Sequence, residues 1–319
     1  MERIARQIIV PAELAGSRLD RVATELFADF SRVEIGKWIR EGALTIDGNQ
    51  AVPKLKVKGG ESLSLSAERS EREAWQAPEQ IDLDVVYEDD HVLVINKPAG
   101  LVVHPGAGNP SGTLVNGLLD YRPELKSLPR AGVVHRLDKD TSGLMVVAAS
   151  ELALTELTQQ VGERSMHRLY YALVEGRMVA GQDIDLPIGR HPSVRTRQAV
   201  REDGKPAFTE VRVVERYRIH TLVQAKLRTG RTHQIRVHMA HIGYPLVGDS
   251  RYGARKKIPT GASEALITSI RDFPRQALHA KELAFKHPYT EETLQFEAPL
   301  AEDLQTLCQL LADDQKGAG

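Results

Sequence analysis

A charged loop between two apolar runs is the part of this sequence most suited to chemistry. Residues 133–144 read VVHRLDKDTSGL, which predicts two short strands joined by a loop that carries Asp138 and Asp140. A carboxylate can act as a nucleophile or as a general base, and catalytic side chains often lie on loops held by rigid strands. Aspartates also make ordinary turn hydrogen bonds, so the loop alone leaves a structural interpretation open.

Several other motifs are incomplete. Gly106 and Gly108 begin a dinucleotide fingerprint, but Ser111 occupies its third glycine position, and the chain has no phosphate-binding P-loop. The segment after Asp138 resembles the start of a calcium loop, yet its twelfth position is Ala149 instead of Glu. We therefore expect neither a nucleotide cofactor nor calcium.

Histidines and a serine suggest two weaker alternatives. His233 and His238 are five residues apart with no glutamate between them, whereas zinc-binding helices use a spacing of four, so we expect no metal. His135, Asp138 and Ser142 are the residue types of a hydrolase triad, but no Gly-x-Ser-x-Gly elbow surrounds the serine. A hydrolase remains a minor alternative.

The net charge of -1, from 42 Lys and Arg against 43 Asp and Glu, conceals segregation along the chain. Residues 190–236 hold twelve Lys or Arg against four acids, whereas residues 69–90 hold eight acids against two bases. Residues 299–319 are also acidic. Because phosphate binding depends on local basic surface, the neutral total does not exclude an RNA partner.

Length and cysteine content narrow the class of protein. The 319 residues predict about two domains, at roughly 150 residues per domain, and the single Cys308 excludes an intrachain disulfide framework. The first ten residues lack the apolar core of a signal peptide, and no apolar run approaches the roughly 18 residues of a membrane span. We expect a soluble, cytoplasmic monomer without membrane contact.

Residues 1–68 predict a small α/β domain. Apolar spacing predicts a helix over 18–27, and a capping box at Ser31 predicts a second helix that ends at Gly42. A strand over 43–46 then enters an Asp-Gly turn, and alternation over 55–65 indicates half-buried strands. Basic residues form a candidate RNA-binding face, or alternatively an ordinary solvated surface: Arg32, Lys37, Arg40, Lys54, Lys56 and Lys58.

A linker over 69–80 precedes a larger predicted domain, residues 81–319. Its strands and helices do not alternate regularly, which favours an α+β fold with a mixed, mainly antiparallel sheet. The predicted strands are 83–87, 92–95, 144–148, 170–174, 208–214 and 222–227, and the predicted helices lie near 113–121, 151–161, 232–242 and 301–312.

Five segments together resemble the pseudouridine synthases of the ribosomal large-subunit class, and residues 18–65 resemble the S4 RNA-binding module. The segments cover about residues 81–300 and are specific in order and spacing. They are 95–105 (INKPAGLVVHP), 133–144 (VVHRLDKDTSGL), 168–172 (RLYYA), 227–238 (LRTGRTHQIRVH) and 275–280 (RQALHA).

The resemblance implies a cofactor-independent isomerase that converts uridine to pseudouridine in 23S rRNA. It implies the stem-loop called helix 69 as the target and a role in maturation of the large ribosomal subunit. The reaction breaks the bond from ribose to base nitrogen and rejoins the base through carbon. Asp138 would attack the sugar or the base, or act as a base itself. A non-catalytic RNA-binding assembly factor is the alternative from another class.

The same resemblance implies roles for individual residues. Asp138, Tyr170 and Arg231 are the expected catalytic residues, with Arg231 paired to Asp138 and Tyr170 packed against the target base. Tyr171 should point to the opposite face of its strand. Arg136 would fill the space that the flipped uridine leaves. The other expected substrate-binding residues are His135, which orders the loop, Lys139, Arg236 and Lys97.

Overall fold

In a computed structural model of the chain, the described residues are 2–27, 30, 32–69, 77–106, 108–194, 196–253 and 256–317. The chain divides into two compact units, residues 1–74 and residues 75–319. Most of the predicted linker, residues 70–76, lies outside the described residues. No helix in the described part of the chain is long and apolar enough to cross a membrane.

The first unit packs two helices on a small antiparallel sheet of strand order β1-β4-β2-β3. Asp47 and Gly48 join β2 to β3 with φ of 49° and 76°, as a two-residue hairpin turn requires. Both predicted helices are present, although Ser31 of the capping box lies outside the described residues. The elements are β1 (Glu2–Ile9), α1 (Leu19–Leu26), α2 (Arg32–Glu41), β2 (Leu44–Ile46), β3 (Asn49–Gln50) and β4 (Ser62–Arg69).

The apolar helix positions predicted by periodicity form the core of the first unit. Leu19 and Val22 of α1 and Ile35 and Ile39 of α2 are fully buried against the sheet. Leu63 is buried in β4, but residues 55–57 form only an isolated bridge and no strand. The predicted half-buried strand at 55–57 is therefore wrong.

The second unit has a nine-stranded mixed sheet, which confirms the predicted α+β class. Its order is β5-β6-β7-β14-β8-β13-β12-β9, with β15 on β14 and a separate β10–β11 pair. β7 and β14 run parallel, and the other neighbouring strands run antiparallel. The strands are β5 (Val85–Glu88), β6 (Val92–Lys97), β7 (Ser142–Ala148), β8 (His167–Glu175), β9 (Gln182–Asp185), β10 (Ile188–Arg190), β11 (Gln198–Val200), β12 (Phe208–Arg216), β13 (His220–Leu227), β14 (Leu278–Lys286) and β15 (Thr293–Glu297).

Helices cover both faces of this sheet. One face packs against α3 (Leu114–Tyr121) and α5 (Gln234–His241). The other face packs against α4 (Glu151–Glu163), α6 (Glu264–Asp272) and α7 (Glu302–Gly317). Because side chains alternate along each strand, successive residues enter different cores. The strand predicted at 133–134 is wrong, since Val133 makes only an isolated bridge to Val147.

Gly143 allows the loop strand β7 to lie directly against β14. Its φ is +112°, and a Cβ atom at this position would lie 2.2 Å from the carbonyl oxygen of Ala280. Both the dihedral angle and the close approach therefore require glycine.

We expect Gly143→Ala to lower the free energy of unfolding by about 3 kcal/mol or more, since rigid backbone must move. Gly162→Ala is the matched control, because Gly162 is exposed near the end of α4 and its added methyl group would have no other atom within 4 Å. The control should be neutral or up to about 1 kcal/mol more stable. Equal denaturation midpoints for the two variants would contradict the close β7–β14 contact.

Candidate active site

The backbone of the Asp138 loop is fixed by hydrogen bonds to its carbonyl groups. The amide of Thr141 donates to the Asp138 carbonyl at 3.1 Å and closes a turn. The Lys139 carbonyl accepts from the Gly100 amide at 2.9 Å and from Lys97 Nζ at 3.0 Å. These hydrogen bonds hold the loop backbone against the segment 97–100.

A second buried cation holds the end of the same loop. Arg275 Nη1 donates to the Asp140 carbonyl at 3.1 Å, while its Nε and Nη2 donate to Asp303 at 2.6 and 2.7 Å. Gln276 Nε2 donates to Thr141 Oγ1 at 3.2 Å. The C-terminal helix α7, which carries Asp303, is in this way connected to the loop that carries Asp138.

The Asp138 side chain forms an ion pair with Arg236. Arg236 Nη1 lies 2.8 Å from Asp138 Oδ2, and the Asp138 side chain remains 19% exposed. The other oxygen, Oδ1, has His233 Nε2 at 3.8 Å, beyond hydrogen-bonding distance. One carboxylate oxygen is thus held by arginine, and the second makes no hydrogen bond with the described residues.

Asp249 fixes the orientation of Arg236. Its two oxygens accept from Arg236 Nε at 2.7 Å and Nη2 at 2.9 Å, a bidentate arrangement with geometric specificity. Burial disfavours the charge of Arg236, but Asp249 and Asp138 outweigh burial and raise its pKa. Burial would raise the pKa of Asp249, yet hydrogen bonds from Arg236 outweigh it and the pKa is lowered. The guanidinium therefore bridges two carboxylates.

His233 and Tyr252 complete the surroundings of Arg236. The Tyr252 ring lies 5.1 Å from the Arg236 guanidinium carbon, and its hydroxyl lies 2.7 Å from His233 Nδ1. Burial lowers the pKa of His233, with Asp138 opposing. His233 was expected not to bind a metal, and the role of Tyr252 was not predicted from the sequence. An acidic residue downstream in the sequence, Asp249, was the one feature that could have indicated this cluster.

The expected pair between Asp138 and Arg231 is not formed. Arg231 Nε donates instead to the Pro206 carbonyl at 3.1 Å, and its amide donates to Gln234 Oε1. Arg236 replaces it because Arg236 lies within α5, where Asp249 directs its guanidinium toward Asp138. The helix predicted near 232–242 begins at Gln234, after His233, which has φ of 58°.

Tyr170 lies in the core on the same side of the sheet as α5. Its side chain is buried, and burial raises the pKa of its hydroxyl, with a smaller lowering by Arg168 and a smaller raising by Asp138. Tyr171 packs in the core on the other face, which confirms the expected alternation. Of the two tyrosines, only Tyr170 lies on the side of the sheet that packs against α5, the helix that carries Arg236.

His135 contacts the neighbouring strand. Its Nε2 accepts from the Val146 amide at 3.1 Å, and burial, with help from Arg168, lowers its pKa to about 3. The expected ordering of the loop by His135 agrees with this contact. Ser142 Oγ lies 2.9 Å from His279 Nδ1, so the hydrolase pair of His135 and Ser142 is not formed.

Lys97 does not reach a substrate position. The side chain is buried, and its Nζ donates to the carbonyl groups of Pro98, Leu101 and Lys139. Burial lowers the pKa of Lys97 to about 7, against the attraction of Asp140 and Asp138. The expectation that Lys97 binds substrate is therefore wrong, because its three donors are used within the fold.

Two basic side chains of the loop do face outward. Arg136 and Lys139 are exposed on either side of Asp138. In the described part of the chain, no acceptor or carboxylate is paired with the side chain of either residue. Both can therefore contact an RNA strand that approaches Asp138.

Three arginines of the basic block over 190–236 form ion pairs with acidic residues. Arg201 pairs with Asp203 at 2.6 Å, and Arg228 pairs with Glu210 at 2.6 Å. Arg212 pairs in the same way with Asp183. The segment is consequently less positive at its surface than its composition suggests.

In the first unit, Lys37, Arg40, Lys54 and Lys56 are exposed. Arg32 is exposed too, but it pairs with Asp20 at 3.0 Å. The Arg18 guanidinium beside Asp20, together with Arg32, lowers the pKa of that carboxyl to about 2. The four exposed residues outside this pair are thus positioned for contact with a partner.

Comparison with known proteins gives a consistent result. A family model described as RNA pseudouridylate synthase matches residues 91–241. Ribosomal large subunit pseudouridine synthase D of Xanthomonas campestris is 52% identical, over 98% of this chain and 94% of the relative. Ribosomal large subunit pseudouridine synthase D of Pseudomonas aeruginosa is 51% identical, over 99% of this chain and 98% of the relative. The solved structure titled human RNA pseudouridylate synthase domain containing 1 aligns with TM-score 0.54 at 27% identity, over 72% of this chain and 95% of that chain.

The mixed sheet, the arginine-held carboxylate and these similarities define an isomerase of RNA uridine. The chain belongs to the RNA pseudouridylate synthase family. Within that family, its similarity over nearly the full length is to the ribosomal large subunit pseudouridine synthases D. The resemblance seen in the sequence motifs is therefore confirmed, and so is the class of enzyme.

We expect Arg236→Met to lower the free energy of unfolding by about 3–5 kcal/mol at neutral pH, because Asp138 and Asp249 lose their shared cation. With Arg236 present, the lowered pKa of Asp249 contributes stability above its unfolded pKa, and this contribution is lost as pH falls. Without Arg236, burial raises that pKa. The difference between variant and wild type should therefore shrink between pH 7 and pH 4, measured by urea unfolding.

Arg228→Met is the control for this measurement. Arg228 is 59% exposed and pairs with Glu210 at the surface, where an ion pair contributes about 1 kcal/mol or less. At pH 7, Arg236→Met should therefore lose much more free energy of unfolding than Arg228→Met. A small, pH-independent cost for Arg236→Met would contradict the bridging role.

Proposed function

We propose that this protein isomerises uridine to pseudouridine in 23S rRNA, at the helix 69 stem-loop, during maturation of the large ribosomal subunit, with Asp138 as the catalytic aspartate. The observation that carries the proposal is the Asp138–Arg236 pair at 2.8 Å, in which Oδ2 is held and Oδ1 is left for the substrate. The names of the full-length relatives support the large-subunit RNA as substrate.

The chemistry requires little beyond the groups in this site. Asp138 attacks or deprotonates the nucleoside, the bond between ribose and base nitrogen breaks, and the base turns and rejoins through its C5 carbon. The C5 proton then passes to solvent, and base N1 gains a proton. Because the reaction has no redox change and no net hydrolysis, it needs no cofactor. Arg236 orients the carboxylate throughout.

Access to the uridine requires base flipping. A base stacked in RNA must be extruded at a cost of about a few kcal/mol before its sugar can reach a buried site. Arg136 is exposed two residues before Asp138 and is suited to fill the vacated space. Lys139 and Arg231 are suited to contact backbone phosphates on either side.

Tyr170 is suited to pack against the flipped base. Its ring lies among Leu227, Ala225 and Ala280 in an apolar core, and aromatic stacking holds unstacked bases well. Its hydroxyl makes no hydrogen bond in the described part of the chain, and burial keeps its pKa raised. A protonated hydroxyl next to the base can relay the C5 proton, releasing its own proton as it accepts that one.

The first unit, with its S4-like pattern, is proposed to bind RNA outside the catalytic pocket. Four exposed basic residues supply charge without an acidic partner among the described residues: Lys37, Arg40, Lys54 and Lys56. Such contacts position a nucleic acid and make its binding depend on salt. This unit would therefore contribute to affinity more than to the chemical step.

We expect Asp138→Asn to lower the rate of tritium release from RNA labelled at uridine C5 by at least about 10³-fold, because the amide cannot replace the carboxylate. Asp140→Asn, in the same loop, serves as the matched control, and its rate of tritium release should fall far less. Mapping of pseudouridine in rRNA from cells with each variant would identify the target. Full release by Asp138→Asn would contradict the proposed catalytic role, and an intact cellular function would favour a non-catalytic assembly factor.

Neutralising Lys37, Lys54 and Lys56 together to Gln should weaken RNA binding and reduce the salt slope of the affinity by up to about 2–3, since each phosphate contact contributes about 0.9 or less. Binding is measured by titration over a series of salt concentrations.

A variant with the same change in net charge is the control for this titration. It should keep the wild-type slope. Equal slopes for both triple variants would remove the RNA-binding role of the first unit. The control replaces with Gln three exposed lysines of the second unit: Lys126, Lys286 and Lys316.

A further inference from the structure

Arg168 is a buried arginine that the proposed mechanism does not yet use. It lies in β8 two residues before Tyr170, so both side chains project from the same face of the sheet. Arg168 is only 6% exposed. A guanidinium group is therefore held in the interior of the fold, on the same face of β8 as Tyr170.

The guanidinium of Arg168 has no counterion in the described part of the chain. Its Nε is buried and makes no hydrogen bond, and no carboxylate forms an ion pair with it. The buried Arg236 and Arg275 differ, since Arg236 binds Asp249 and Asp138, and Arg275 binds Asp303. Burying a charge without a partner costs free energy. We therefore infer that Arg168 binds a ligand that supplies negative charge.

Neighbouring groups show where this charge acts. The Cβ that an alanine would have at position 230 lies 2.9 Å from Arg168 Nη1, so Gly230 makes room for the guanidinium. Burial raises the pKa of the Tyr170 hydroxyl, Arg168 opposes this effect, and Asp138 adds to it. Arg168 also contributes to the lowered pKa of His135. The guanidinium, the Tyr170 hydroxyl and the Asp138 carboxylate are therefore close enough to interact electrostatically.

Two parts of an RNA could supply the negative charge, a backbone phosphate or the target base. A phosphate is bulky and strongly hydrated, and the exposed Arg136 and Lys139 are better placed for it. Inside the pocket, negative charge forms on the uracil itself. When the bond between ribose C1′ and base N1 breaks, the electron pair stays on N1 and spreads to the carbonyl oxygens. A preorganised donor is most effective where charge develops in this way.

We propose that Arg168 is a catalytic residue that binds a carbonyl oxygen of the flipped uracil and stabilises the negative charge of the detached base. In the nucleophilic form of the reaction, ribose C1′ gains a bond to Asp138 as it loses N1. The base then turns, and C5 bonds to C1′ as the carboxylate leaves. The proton lost from C5 passes to solvent, and base N1 takes up a proton, so that the product is neutral. The charge on the base disappears at that point, so Arg168 acts only while the base is detached. This role rests on the proposed reaction at Asp138.

The test compares chemistry with binding in Arg168→Ala. The rate of pseudouridine formation in a single turnover at saturating RNA should fall about 10²–10³-fold, the usual effect of removing one donor to a developing charge. The Kd for RNA and its salt dependence should stay close to those of the wild type. Arg228→Ala, at an exposed arginine, should retain the wild-type rate.

Chemical rescue separates a catalytic from a structural role. Millimolar guanidinium chloride should accelerate Arg168→Ala at least tenfold relative to sodium chloride at equal ionic strength, since the ion can occupy the truncated site. Asp138→Asn should not respond. If Arg168→Ala does not fold, Arg168→Lys carries the test: it should be slower than wild type with unchanged Kd, and a wild-type rate would overturn the proposal.

Other outcomes identify other roles. Weaker binding with a salt slope smaller by about one, and an unchanged single-turnover rate, would assign Arg168 to a phosphate and overturn the proposal. A lower melting temperature with an unchanged rate would make it structural and overturn it as well. An inactive wild type, or full activity of Asp138→Asn, would instead refute the proposed function on which it rests.

Discussion

The site depends on one guanidinium that bridges two carboxylates. Arg236 uses Nε and Nη2 for Asp249 and Nη1 for Asp138. Burying three charges is favourable only when each has its partners, because desolvation of any one alone is costly. The pairing therefore requires α5, the Asp138 loop and the segment at Asp249 to be in place together, and it couples formation of the fold to formation of the site.

Two further buried cations position the loop without competing for Asp138. Lys97 and Arg275 donate to the carbonyl groups of Lys139 and Asp140, and neither forms an ion pair with Asp138 among the described residues. Backbone carbonyls accept hydrogen bonds without carrying a charge, so the loop is held rigidly while its carboxylate stays with Arg236. Positioning and chemistry are thus divided among separate basic residues that all lie close to one loop.

Local patterns predicted much of the fold. The helix over 18–27 and most strands of the second unit follow from apolar periodicity, which depends only on nearby residues. β14 (Leu278–Lys286) was not recognised, since Lys281 and Glu282 interrupt its apolar pattern. It is a strand because β7, β8 and β15 supply hydrogen-bonding partners along it. Conversely, residues 133–134 have the composition of a strand, but only Val133 pairs with another strand, through an isolated bridge to Val147.

The sequence by itself determined the Asp138 loop and the opposite faces of Tyr170 and Tyr171, because both depend on residue type and strand alternation. Only the tertiary structure decided which arginine meets Asp138. Arg231 and Arg236 belong to the same motif, and the start of α5 at Gln234 together with Asp249 directs the second one inward. Spacing along the chain carries no information about such a three-body contact, since its partners come from distant segments.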